Sequence, residues 1–170
     1  MKSNQIGFGT EKGTIGGPNI RSVMIERNRV LLYRYENDNV WKLSGGGPIF
    51  DETTKDAIMR IIKKKGGFEI EVQRLLWIME LFFVFRGKEG TLDVEQATKI
   101  HGIGFYFLVS PKTSKNEWQK EEFHGIERPD IIFKWFKLDE LNDINIKPDC
   151  LKQLLNQIPS SLEHVVCRTE

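Results

Sequence analysis

Apolar and polar positions begin to alternate regularly at Ile20. Ser22-Val23-Met24-Ile25, a polar break from Glu26 to Arg29, and Val30-Leu31-Leu32-Tyr33 read as two strands joined by a tight turn. Asn37-Asp38-Asn39 is a second turn, Val40 to Leu43 a short strand, and Gly45-Gly46-Gly47-Pro48 a loop that no regular element crosses. From Thr53 to Lys65 the period changes. Ala57, Ile58, Ile61 and Ile62 recur at three- and four-residue spacing and form the apolar stripe of a helix. Thr53 caps its start, with Asp56 three residues on, and Gly66-Gly67 supplies a left-handed stop. Runs rich in β-branched and aromatic residues follow at Glu69 to Arg74, Leu75 to Phe85, Gly102 to Ser110 and Ile131 to Leu138. Leu151 to Gln157, after Pro148, reads as a helix, and His164 to Cys167 as a last short strand. The element order predicts a mixed α+β domain over residues 20–170. Residues 1–19 hold five of the 15 glycines and no periodicity, and are expected to form a flexible arm.

Composition narrows the function classes. A formal net charge of +1 over 170 residues offers no charge-driven partner, so a nucleic-acid binder is a weak reading and none is expected as partner. The most apolar run, Leu75 to Phe85, is interrupted by Glu80 and is shorter than the ~20 residues a membrane helix needs. No membrane partner is expected either. Residues 1–19 lack the apolar stretch of a secretory signal, and Cys150 and Cys167, far apart, read as two ordinary thiols. Together these place the protein in the cytoplasm.

Gly46, Glu52, Arg60, Ile62, Gly67 and Phe68 stand at the spacing G-x5-E-x7-R-x-U-x4-G-U, where U is bulky and apolar. This resembles the Nudix box, whose full pattern is G-x5-E-x7-R-E-U-x-E-E-x-G-U. Val30 to Arg34 ahead of Trp41-Lys42-Leu43-Ser44-Gly45-Gly46 is similar to the family's strand entering a W-x-L-P-G-G turn, with Ser44 in place of proline. Later strands at Leu75-Leu76-Trp77, His101 to Tyr106 and Phe133 to Phe136 extend the likeness over about residues 20–167. The resemblance implies a mixed sheet sandwiched between helices. It also implies a loop, helix and loop holding magnesium or manganese against the diphosphate of a nucleotide-type substrate, and a homodimer for many members.

The box departs from that pattern where metal chemistry resides. The three helical positions at which the family carries metal-binding glutamates are Ile61, Lys64 and Lys65. Residues at i, i+3 and i+4 share one helical face, so the geometry survives while the hard oxygen ligands are gone. A lysine about 4 Å from a divalent cation is repelled by roughly 8 kcal/mol at an effective dielectric near 20. The resemblance therefore implies a protein that recognises a nucleoside diphosphate linked to another moiety, with metal-dependent pyrophosphohydrolase activity impaired or lost. The alternative is an active hydrolase that requires Mg or Mn and recruits Glu52, Glu80, Glu121 or Glu122 as metal ligands. Glu52, Arg60 and Glu122 stand as catalytic candidates, although a Glu52–Arg60 ion pair also serves as a plain buttress. Gly45, Gly46, Lys64, Lys65 and Arg34 stand as candidates for holding phosphate, since an ammonium is a competent phosphate partner. His101 and His124 read as surface or strand-packing residues, with acid–base work as the alternative that an imidazole offers.

Overall fold

The computed structural model describes residues 8–10, 13–15, 17–85, 98–112 and 117–169. Strands β1 (Phe8–Thr10) and β2 (Gly13–Ile15) pair antiparallel inside the segment expected to be an irregular arm. The hairpin is formed by β3 (Asn19–Glu26) and β4 (Arg29–Tyr35), and its turn residues Arg27 and Asn28 both have positive φ. Two consecutive positive φ values give a turn whose twist matches that of the flanking strands. Val40 to Leu43 is not a strand. Only Lys42 bridges Tyr33 and only Trp41 bridges Ile146, as the backbone crosses between neighbours. Conversely, Gly45–Gly46 inside the expected loop forms β5, a two-residue strand against Ile20 and Arg21 of β3. Glycine is required at Gly45, because a Cβ there would sit 1.8 Å from the Ile20 carbonyl oxygen.

Helix α1 (Thr54–Gly66) leads into β6 (Ile70–Phe85), which fuses the two strands expected on either side of residue 74 into one of 16 residues. Register shifts between Val72 and Arg74 and between Leu75 and Trp77 mark two bulges, which re-aim the chain without ending the strand. β6 pairs antiparallel with β7 (Thr98–Pro111), and β7 runs parallel to β3 along its other edge. β8 (Glu122–His124) and β9 (Ile131–Lys137) continue the sheet beyond β4. A 3-10 segment, Leu138–Asp143, precedes α2 (Leu151–Leu154), which is shorter than the expected helix. β10 (Glu163–Arg168) runs parallel to β6.

Because successive strand residues point to opposite faces, β3 feeds two cores. Ile20 and Met24 join Ala57, Ile58, Ile61 and Ile62 of α1, whereas Val23 joins Leu141, Leu151 and Leu155 on the other side. The result is the expected mixed sheet between helices. β3 and β4 pair only at Ile25–Glu26 with Arg29–Val30, so the sheet splits beyond that point. Residues 42–46 bridge the split, with Ser22 N–H donating to the Ser44 carbonyl at 2.8 Å and Tyr33 N–H to that of Lys42 at 2.9 Å. The two cysteines are not free thiols: Cys150 and Cys167 form a disulfide with Cα atoms 6.3 Å apart. They lie 17 residues apart in sequence, and only the docking of α2 beside β10 brings them together.

Candidate functional site

α1 sits where its sequence predicts. Thr53 Oγ1 accepts from Asp56 N–H at 3.1 Å and donates to the Asp56 carboxylate at 2.6 Å. Gly67, at φ 78°, donates its N–H to the Lys63 carbonyl and closes the helix. The stripe Ala57, Ile58, Ile61 and Ile62 is buried, with Ile61 at 5% exposure. Arg60 projects from the adjoining face and donates two hydrogen bonds to Glu52, at 2.6 and 2.8 Å. It also reaches the Gly47 carbonyl at 3.4 Å, and Glu52 accepts from Ile49 N–H at 3.1 Å. Hydrogen bonds from Arg60 hold the Glu52 carboxyl below the usual carboxylate range, and Glu52 in turn raises Arg60. This pair fastens the loop to α1.

The three remaining box positions differ sharply in environment. Ile61 packs against the backbone of Gly46, where a Cβ would stand 3.3 Å from Ile61 Cδ1. Lys64 is exposed and pairs with Glu127 at 2.9 Å. Lys65 turns inward instead. Its Nζ donates to the Gly45 carbonyl at 2.6 Å and stands 5.1 Å from the centre of the Tyr33 ring. Burial, with the nearby Arg21 charge as a second cause, lowers its pKa to about 8. At pH 7 it is still an ammonium, a cation lodged between α1 and the glycine strand.

Other expected residues lie apart from this constellation. The Arg34 guanidinium donates to the carbonyls of Tyr35, Glu36 and Asp38 at 3.2, 2.7 and 3.0 Å, so it braces the turn after β4. Glu80 points away from the buried Trp77 and Met79 on the opposite face of β6 and accepts from His101 at 2.8 Å and His164 at 2.9 Å. These hydrogen bonds lower its pKa. His124 contacts the Pro129 carbonyl through Nδ1 at 2.7 Å. Glu122 faces Lys134 at 3.9 Å, and the Glu121 carbonyl accepts from Trp135 N–H. Among the described residues no group of three His, Cys, Asp or Glu side chains is placed to hold a metal ion.

Sequence reasoning missed Arg21, which pairs with Gly45 across β3 and β5 and stands close enough to Lys65 and Tyr106 to shift both electrostatically. The available signal was a lone cation inside the apolar run from Ile20 to Ile25. The pairing of Lys64 with Glu127 carried no such signal, because 63 residues separate the two.

A family model described as NUDIX domain matches residues 17–156. The protein YjhB of Bacillus subtilis (strain 168), whose name carries ADP-ribose pyrophosphatase as a provisional activity, is 28% identical over 61 residues. That stretch is 36% of this chain and 29% of YjhB. A solved UDP-X diphosphatase is similar at TM-score 0.55 and 18% identity, over 91% of this chain and 64% of its own. An ADP-ribose pyrophosphatase from Streptococcus suis 89-1591 gives TM-score 0.53 and 16% identity over 88% of this chain and 97% of its own. A NUDIX hydrolase from Nitrosomonas europaea gives 0.59 and 15% over 89% and 78%. At these identities the structural likeness speaks for the fold. Among the described residues, no helix is long and apolar enough to cross a membrane.

Proposed function

The chain belongs to the NUDIX family, and from that premise we propose that it recognises a nucleotide-type diphosphate without a metal ion, its pyrophosphohydrolase chemistry impaired or lost. One observation carries this reading: the Lys65 ammonium sits 2.6 Å from the Gly45 carbonyl oxygen, on the helical face where the box would present carboxylates. Magnesium and manganese take hard oxygen donors. Ile61 offers an apolar side chain, Lys64 a cation already paired with Glu127, and Lys65 a second cation, so this donor set does not suit either metal. Glu52 is held by Arg60 and Ile49, and Glu80 by two histidines, which argues against their recruitment as substitute ligands.

In this reading Lys65 supplies positive charge to the diphosphate directly. One of its three N–H donors goes to Gly45, leaving two for phosphate oxygens. Lys64 adds a second charge at the rim, and the Glu52–Arg60 pair keeps the loop in place. The names of the relatives point to a nucleoside diphosphate joined to a sugar or other group. A cytoplasmic setting belongs to the same reading, although the argument it drew from two unpaired thiols falls with the disulfide.

Isothermal titration and a chromatographic assay for AMP and ribose 5-phosphate, the two products of hydrolysis at the diphosphate of ADP-ribose, test the proposal. ADP-ribose is expected to bind equally well in EDTA and in magnesium, to bind more weakly as salt rises, and to be hydrolysed at background rate. Lys65→Met should weaken it at least tenfold, with Lys64→Gln as a milder second variant, in line with about 1.5–3 kcal/mol for a hydrogen bond to a charged group. A micromolar magnesium site or rapid magnesium-dependent turnover would overturn the reading.

A further inference from the structure

The Cys150–Cys167 bond borders an open surface cleft of about 540 Å³. Its two sulfur-bearing residues differ in access, since Cys167 is 6% exposed whereas Cys150 is only half-buried. Lys147, Asp149 and Arg168 stand at the same cleft. Lys147 pairs with Asp149 at 2.6 Å, so those two charges cancel, and the exposed Arg168 guanidinium, 4.1 Å from the centre of the Phe82 ring, leaves the cleft net positive. Positive charge beside a disulfide favours the approach of a thiolate, which is the form that attacks.

The bond joins two parts of the chain that otherwise meet through apolar packing. Cys150 immediately precedes α2, whose Leu151 is buried in the same core cluster as Cys167. Among the described residues no hydrogen bond runs between residues 147–155 and residues 163–169. β10 is anchored on its other side, by its ladder to β6, by His164 against Glu80 at 2.9 Å and by Thr169 N–H donating to the Phe82 carbonyl at 2.9 Å. Residues 155–162, which connect α2 to β10, form no helix or strand. The seam also closes a cavity of about 390 Å³, with Cys167 and Thr169 lining it from the β10 side and Lys147 and Leu151 from the α2 side.

We propose that the Cys150–Cys167 bond is a thiol–disulfide exchange site for a small peptide thiol, and that its cleavage frees α2 from β10 and opens the cavity that the seam closes. A peptide thiol suits a cleft of this size and mixed charge, because its carboxylates can meet Arg168 and its amine Asp149. Access selects Cys150 as the sulfur attacked. The incoming thiolate forms a bond to Cys150 Sγ as the bond to Cys167 breaks, and the electron pair leaves on Cys167 Sγ, which takes a proton from solvent. A second thiolate then attacks the sulfur of the bound peptide, releasing Cys150 as a thiolate that takes a proton and the peptide as its own disulfide. Two thiols are oxidised and one protein disulfide is reduced.

Glutathione is the probe, added to the oxidised full chain in the absence of urea, with acid quenching and peptide mapping by mass spectrometry. The mixed disulfide is expected on Cys150 in at least tenfold excess over Cys167. Hydrogen–deuterium exchange should show the amides of residues 148–158 opening at least tenfold faster in the reduced chain, with those of α1 unchanged. Cys150→Ser with Cys167→Ser should reproduce that pattern, which separates loss of the bond from any effect of an attached peptide. Reaction only in urea, or labelling at Cys167 as strong as at Cys150, overturns the exchange site. Exchange that is unchanged on reduction, or that rises equally in α1, overturns the release of α2.

Discussion

Lys65 shows how one side chain changes meaning between sequence and structure. In the sequence it is one of two adjacent lysines offered alike for holding phosphate, yet of the three consecutive lysines it alone turns inward to the Gly45 carbonyl and the Tyr33 ring. Its position predicts an unusual pH dependence of stability. With a folded pKa of about 8 against an ordinary 10.5, the unfolded chain binds more protons than the folded one between those values. Stability contributed by this residue therefore rises as pH increases through about 8, until Tyr35 and Tyr106 oppose it near their ordinary value of 10.0. Burial raises both tyrosines, so their folded forms keep protons that the unfolded chain gives up. Urea unfolding between pH 7 and 10 should show the wild-type midpoint climbing relative to Lys65→Met. Parallel curves for the two proteins would contradict the buried position.

At the scale of elements, α1 was the most legible part of the chain, because its signals are local. Cap, stripe and left-handed stop all lie within 15 residues of one another, and each is found as read. Thr53→Ala removes the acceptor for Asp56 N–H and should cost about 1 kcal/mol in urea unfolding, with Thr53→Ser recovering most of it. β6 was less legible. Its two bulges interrupt the alternation that marks a strand, so one element reads as two. β5 was invisible, because two glycines carry no strand propensity and pair only through their fit against Ile20 and Arg21.

At the scale of the molecule, the Cys150–Cys167 bond ties α2 to β10 at the far edge of the sheet. It closes a loop spanning 17 residues, for which chain entropy in the unfolded state predicts a contribution of about 3 kcal/mol. Reduction, or Cys150→Ser with Cys167→Ser, should lower the urea midpoint accordingly. Because Cys167 also lines the cavity beside α2, loss of the bond should change the wall between α2 and β10 as well. No difference between oxidised and reduced protein would mean that the β10–β6 ladder alone fixes that edge.

The sequence by itself determined the α+β class, the hairpin, α1 with both ends, and the loss of carboxylates from the box, since each depends on residues near one another along the chain. It also contained the Glu52–Arg60 pair, eight positions apart across a single loop and helix start. Only the tertiary structure decided which way Lys64 and Lys65 face, that Glu80 joins His101 and His164, and that the cysteines bond. Those outcomes rest on contacts spanning from 17 to 84 residues. Their side chains meet through strand pairing and the split between β3 and β4, and no periodicity along the chain encodes that meeting.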